Sequence, residues 1–207
     1  MTDLPTDTRT VWDVLRSPRR GPHYMGMVSP IYYTADMVRA LPEDGNRYEV
    51  VHGELLVTPA PRLWHEEVAA RLQERVREYL RREPVGLAIG SRSDLSWGLK
   101  DVLVSPDLFV VPLAEARKDD WMALHTVLLV AEVLSPSSLK TDRFTKRRLY
   151  QEMGVSLYWI VDPTESQVEV WLPRDDFPRF EREELAWQPI GAETRFQVRL
   201  EELFRPI

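Results

Sequence analysis

One acidic residue, Glu132, interrupts an otherwise apolar run from Val127 to Leu134. Such a run reads as a strand buried on both faces of a sheet. A carboxylate there must be matched by a cation, a metal ion or a proton, because its desolvation is costly. Ser135-Pro136 ends the strand, since proline disfavours helix in the residue before it and brings no N–H to the ladder. Two other stretches carry groups that could answer Glu132. Asp107 opens the strand Ser105-Pro-Asp-Leu-Phe-Val-Val111 and by alternation shares a face with Phe109 and Val111. Asp142 and Lys146 fall on one stripe of a following helix, together with Leu149, Tyr150 and Met153.

Each feature has a plain reading beside the chemical one. Asp107 is either a strand-start residue bonded to its own backbone or the second of two converging carboxylates. Converging carboxylates repel unless a cation lies between them, and oxygen-only ligands suit Mg²⁺ or Mn²⁺. Lys146 is a structural ion-pair partner of Glu132, or a lysine that snorkels its head to water, or a catalytic cation. Lys140, Arg143, Lys146, Arg147 and Arg148 form the densest basic cluster. It fits phosphate contact, and equally a solvated helix face. His65 at a helix start and Glu49 on a hairpin are further candidates, neither specific alone. No glycine-rich phosphate loop, zinc-ligand spacing or nucleophile elbow is found in the sequence.

The elements that must hold these groups follow from pattern. Arg47–Val51 and Glu54–Thr58 flank His52-Gly53 as a β-hairpin. An amphipathic helix runs from Trp64 to about Arg82, with Val68, Leu72, Val76, Tyr79 and Leu80 on one face, and Pro84 stops it. Strands are expected over Leu87–Trp97, Ser105–Val111, Val127–Leu134, Leu157–Val161 and Gln167–Leu172. The second helix spans about Thr141 to Met153 and ends at Gly154; a short helix closes the chain around Leu200–Phe204. Thr34 caps another helix, with Met37, Val38 and Leu41 at helical spacing. Strands dominate and two good helices bracket them, so the class is mixed α/β, or α+β, with an N-terminal β-hairpin.

Composition bounds the partners. The 207 residues suggest one domain over 31–207, preceded by an extension, residues 1–30. That extension has only a helical hint around Val11–Leu15 and is expected to be partly disordered or docked on the surface. With no cysteine there are no disulfides and no thiolate chemistry. No stretch approaches the roughly 18 apolar residues needed to span a bilayer, and the first residues lack a signal-peptide pattern, so the expected location is cytoplasmic and no membrane partner is expected. The net charge of −6 argues against non-specific coating of nucleic acid; any such contact needs a local basic patch.

Taken together, the order Arg47-Tyr-Glu-Val-Val-His-Gly-Glu-Leu55, His65, Pro106-Asp107 and Val130-Ala-Glu-Val-Leu-Ser-Pro136 resembles the Uma-type family of proposed restriction endonucleases, within the PD-(D/E)XK nuclease superfamily. Asp142, Lys146, Tyr150, Gly154-Val155 and Tyr158-Trp-Ile-Val-Asp-Pro163 complete the resemblance, which covers roughly residues 31–207. It implies a restriction-endonuclease-like mixed sheet flanked by helices and metal-dependent hydrolysis of DNA phosphodiesters.

Asp107 and Glu132 carry over as the motif's acids, and with the Val133 carbonyl as ligands of Mg²⁺ (or Mn²⁺). The usual lysine position, two residues after the second acid, is Leu134 here. Lys146 from the next helix is the expected replacement, preferred over Lys140, and would orient or deprotonate the attacking water. Glu49 is the acid supplied from outside the core strands. His65, Asp142 and Lys140 stand as accessory positions, and Arg143, Arg147 and Arg148 as nucleic-acid contacts. His52 departs from the family pattern, where an acid is more usual. A two-fold homodimer is compatible with cutting both strands. The competing reading is a catalytically inactive binding or assembly module of the same fold; hydrolysis of another phosphate ester is a third.

Overall fold

The computed structural model describes residues 31–90 and 93–207. The Val11–Leu15 helical hint, the expected extension over residues 1–30 and part of the Leu87–Trp97 stretch lie outside these residues. The described chain forms helix α1 (Ala35–Arg39), hairpin strands β1 (Arg47–Val51) and β2 (Glu54–Thr58), and the long helix α2 (Leu63–Arg82). Strands β3 (Gly86–Gly90) and β4 (Leu108–Pro112), the short helix α3 (Leu113–Ala116) and strand β5 (Leu129–Val133) follow. A π-helical turn, Thr141–Lys146, leads into α4 (Arg147–Glu152). Then come β6 (Tyr158–Asp162), β7 (Gln167–Trp171), β8 (Arg179–Glu181), β9 (Glu184–Trp187), β10 (Phe196–Arg199) and α5 (Leu200–Phe204).

Six strands make one mixed sheet in the order β3-β4-β5-β6-β7-β8. Every neighbouring pair is antiparallel except β5 and β6, which run parallel. A parallel pair needs a crossover, and the π-turn with α4 supplies it. This places that helical segment directly after the end of β5. The sheet is buried on both faces, as the apolar runs require. Leu108, Val110, Leu129, Ala131 and Trp159 point to the face packed with α2, the β9–β10 hairpin and α5. Phe109, Val111, Val130 and Ile160 point the other way, against Val51 of β1 and Leu149 and Tyr150 of α4.

Local chemistry explains the elements that matter most for the site. His52 and Gly53 both take positive φ (50° and 80°), the two-residue turn that matches strand twist and favours glycine. The Val50–Leu103 backbone exchange, at 2.8 Å in both directions, ties the hairpin to the segment entering β4. Thr34 caps α1, its side chain accepting from the Met37 N–H. The expected strand over Ser105–Val111 begins instead at Leu108. Pro106 has no N–H to give, and the side chain of Asp107, rather than its backbone, takes the Val133 N–H at 2.8 Å. The expected regular helix over Thr141–Met153 is wider in its first turn, where the Arg147 N–H reaches back to the Asp142 carbonyl.

Leu149 is fully buried and anchors α4 to the sheet. Leu149→Ala is therefore expected to cost about 2–5 kcal/mol, read from urea unfolding, and to leave the sheet's far-UV signature intact.

Candidate functional site

The antiparallel register of β4 and β5 pairs Leu108 with Ala131, which sets Asp107 opposite Glu132 at the strand ends. Alternation turns both carboxylates to the face covered by β1 and α4. From β1, Glu49 points into the same space, with its Oε1 accepting the Ser105 N–H at 2.8 Å. From the π-turn come Asp142 and Lys146, both buried. The result is a small cavity of about 20 Å³, roomy enough for one water-sized or ion-sized guest. Its lining includes all five of these side chains, with His65 and Arg47.

Lys146 is the hub. Its Nζ stands 2.8 Å from Glu49 Oε2, 3.1 Å from Glu132 Oε1 and 3.5 Å from Asp142 Oδ1. Tyr150, one turn further along, donates its phenol to the same Glu132 Oε1 at 2.8 Å. Asp107 is held separately: Oδ1 accepts from Arg47 Nη1 at 3.1 Å, and Oδ2 lies 3.2 Å from His65 Nε2. The Tyr158 hydroxyl donates to the Asp142 carbonyl at 3.2 Å and fixes the π-turn to β6. Asp142 Oδ1 is buried and makes no hydrogen bond, its distance to Lys146 being that of an ion pair alone.

The charges follow from this geometry. Burial would lower the Lys146 ammonium, but Glu132, Glu49 and Asp142 outweigh it and raise its pKa well above the usual lysine value. An ammonium has no lone pair, so in this charged state Lys146 can donate hydrogen bonds but cannot accept a proton. Burial likewise opposes ionisation of Asp107, yet His65, Arg47 and the Val133 N–H bring its pKa down to about 2. Burial raises Glu132 to about 8; Lys146 pulls against it, while Asp142, Asp107 and Glu49 add to it. Asp142 is raised too, chiefly by burial. Burial would lower His65, but its bond to Asp107 more than compensates and raises it. Four carboxylates thus share Lys146, Arg47 and His65, and the cluster is short of positive charge when fully ionised.

The structure brings together Asp107, Glu132, Lys146, Glu49, Asp142 and His65, the first four from four separate segments of chain. It does not bring Lys140, which is exposed and takes no part in the cavity. Arg143 is turned to the far side of the helix, bonding Asp162 at 3.0 Å and Glu169 at 2.6 Å. Arg147 bonds Gln151 at 2.7 Å and stacks its guanidinium over Trp171. Of the three expected nucleic-acid contacts, Arg148 alone is exposed without such an internal role among the described residues. His52 pairs with Glu152 at the surface, 2.8 Å apart, outside the cavity. Sequence reasoning gave no site role to Arg47 or Tyr150. Both signals were available: Arg47 is two residues from Glu49 on β1, hence on its face, and Tyr150 is four residues from Lys146 on the helix.

Among the described residues, no three His, Asp or Glu side chains stand as a ready metal-holding group. The reason is visible in the distances: Lys146, Arg47 and His65 already occupy the carboxylates. The donor set still fits a hard divalent cation. Its oxygens are anionic, and one of them, Asp142 Oδ1, is buried without a hydrogen bond.

A mixed sheet whose central strand ends in a buried acid-and-lysine cavity defines a protein of the nuclease fold. The chain belongs to the Uma2 family, described as "Putative restriction endonuclease", whose family model matches residues 35–199. It is also similar in fold to a solved structure from Anabaena variabilis titled a "putative nuclease belonging to DUF820", at 22% identity and a TM-score of 0.66. That likeness covers 83% of this chain and 97% of the other. A comparison with curated proteins finds no match.

The raised Glu132 pKa has a consequence for stability. Between about 4.5, its ordinary value, and about 8 the folded protein holds a proton that the unfolded chain releases. Stability of the metal-free protein should therefore fall as pH rises through that window. Asp107, with its lowered pKa, adds a slope only below the ordinary 3.8, lost towards about 2. Urea unfolding in EDTA at about pH 5 and about pH 8 should show the wild-type decline and a flatter dependence in Glu132→Gln.

Proposed function

We propose that the chain is a Mg²⁺- or Mn²⁺-dependent endonuclease that hydrolyses phosphodiester bonds of DNA. The observation that carries this reading is the convergence of Glu49, Asp107, Glu132 and Asp142 with Lys146 in one buried cavity. Membership of a family described as "Putative restriction endonuclease" supports the same chemistry.

In this reading Asp107, Glu132 and the Val133 carbonyl hold the metal, with Glu49 assisting. When bound, the ion polarises the phosphate and lowers the pKa of a coordinated water. Asp107 suits the task because it is ionised throughout the physiological range. Tyr150 and Lys146 fix the Glu132 carboxylate from the helix side, so its orientation is set before substrate arrives. Lys146 brings a permanent positive charge to the cavity, orients the attacking water and offsets negative charge that develops on phosphate oxygens. The water oxygen bonds to phosphorus, one ester P–O bond breaks, and the leaving oxygen takes up the proton that the water gives up. The cavity has room for one ion-sized guest, so the substrate phosphate would meet the ion at the cavity mouth and the bases would remain outside. The protein is proposed to act in the cytoplasm, and a two-fold dimer would present a second site to the other strand.

Asp107→Ala and Lys146→Ala are each expected to lower Mg²⁺-dependent nicking of supercoiled plasmid by at least about 100-fold while the protein still melts cooperatively. Cleavage that survives both substitutions would refute the assignment. Wild-type protein that binds DNA in Mg²⁺ and never cuts it would favour the inactive binding module instead.

A further inference from the structure

Among the described residues, Arg47 is the most exposed cation of the cavity. Its side chain is 25% exposed, whereas the side chain of Asp107 beside it is 4% exposed and that of Lys146 is also 4%. The guanidinium is fixed through a single nitrogen. Nη1 donates to Asp107 Oδ1 at 3.1 Å and to the Ser105 carbonyl at 3.3 Å. Among the described residues, Nε and Nη2 donate to nothing. An arginine serving only to neutralise a buried aspartate would be expected to spend its fork on that carboxylate in a bidentate pair. Among the described residues, the fork is anchored at one tip and its other two donor groups are unspent.

The surroundings keep this group charged and in place. Burial works against it, yet Asp107, Glu132 and Glu49 raise its pKa further above the usual arginine value. The residue sits on β1, whose backbone is tied through Val50 to Leu103, so the guanidinium is carried by a strand and not by a loop. Arg47 lines the same cavity as Glu49, Asp107 and Glu132, so its guanidinium stands beside the buried carboxylates. Planar paired donors on a rigid strand match two oxygens of a phosphodiester.

We propose that Arg47 is a substrate-binding residue that holds a DNA phosphate at the cavity with Nε and Nη2 while Nη1 keeps Asp107 oriented. The proposal rests on the phosphodiesterase reading for its ligand, and it makes a claim about binding that does not depend on turnover. Removing a charged hydrogen-bond donor of this kind costs roughly 10- to 100-fold in kcat/KM. A lost phosphate contact also lowers the slope of log K against log salt by about 1.

The test uses the full chain with a short DNA duplex, comparing wild type, Arg47→Ala and Arg47→Lys, each checked for a cooperative thermal melt. Binding is followed by fluorescence anisotropy across a salt series in Ca²⁺, and cleavage in Mg²⁺. Arg47→Ala is expected to lose about one unit of salt slope and to raise KM. Arg47→Lys, which keeps the charge and loses the fork, should recover the slope and leave kcat/KM depressed. A merely structural Arg47 would leave the salt slope unmoved in every folded variant, and that result overturns the inference. If Arg47→Ala does not fold, Arg47→Gln takes its place in the slope comparison, and a folded Arg47→Lys with wild-type kcat and KM also overturns it. Wild-type protein that binds DNA without cleaving it counts against the cleavage reading alone, with the slope comparison still deciding on Arg47. Wild-type protein that neither binds nor cleaves DNA overturns both.

Discussion

Burying four carboxylates within reach of one another is the constraint on which the rest of this structure depends. Like charges in a dry cavity repel strongly, and each must be offset by a cation, a donor or a proton. Lys146 does most of that for Glu49, Glu132 and Asp142. It can do so only if α4 is packed firmly on the sheet, which Leu149 and Tyr150 achieve from the adjoining turns of helix. Asp107 is served by a separate set, His65 from the start of α2 and Arg47 from β1. The cavity therefore draws on the hairpin, both principal helices and the neighbouring strands β4 and β5 at once.

That dependence explains the division of labour between the two faces of the sheet. The face under α2 is hydrocarbon and aromatic, with Trp159, Tyr79 and Phe196 packed together. The other face is apolar along most of each strand and turns polar at one end, where β4 begins and β5 finishes. The parallel β5–β6 pair is what makes this possible. Its crossover has to leave the end of β5 and return over the sheet, so Asp142 and Lys146 are delivered above Glu132 by the connection itself. A hairpin at that point would have put a turn where the lysine now stands. The hydrogen bond from the Val133 N–H to Asp107 completes the arrangement by making a side chain act as a rung of the ladder.

Much of this was legible in the residue pattern because burial leaves a signature. The β1–β2 hairpin, the α2 helix and the strand carrying Glu132 follow from period and turn chemistry, and the observed bounds agree closely. The stripe of Asp142, Lys146, Leu149 and Tyr150 correctly marked the inward face of the second helical segment. Less was legible where side chains replace backbone. Asp107 delays the start of β4 by giving its own carboxylate to the ladder, which no propensity encodes. The π-helical turn is equally silent in pattern, since the same stripe fits either helix. The partners of Arg143 and Arg147 lie on β6, β7 and the helix itself, and only the sheet order brings Asp162, Glu169 and Trp171 beside them. In three dimensions Arg143, Lys146 and Arg147 of the basic cluster each hold an internal partner, while Lys140 and Arg148 are exposed.

On the proposed reading, this carboxylate cluster, short of positive charge, is a seat for a divalent cation that the protein's own cations only partly replace. Titration of the EDTA-treated protein with Mn²⁺, following free ion by electron paramagnetic resonance, addresses it most directly. The account predicts one saturable Mn²⁺ site in the wild type that is lost in Asp107→Asn and in Glu132→Gln, with both variants still folded. Absence of a bound ion in the wild type, or binding unchanged by both substitutions, would contradict it and leave the cluster as a structural ion-pair network.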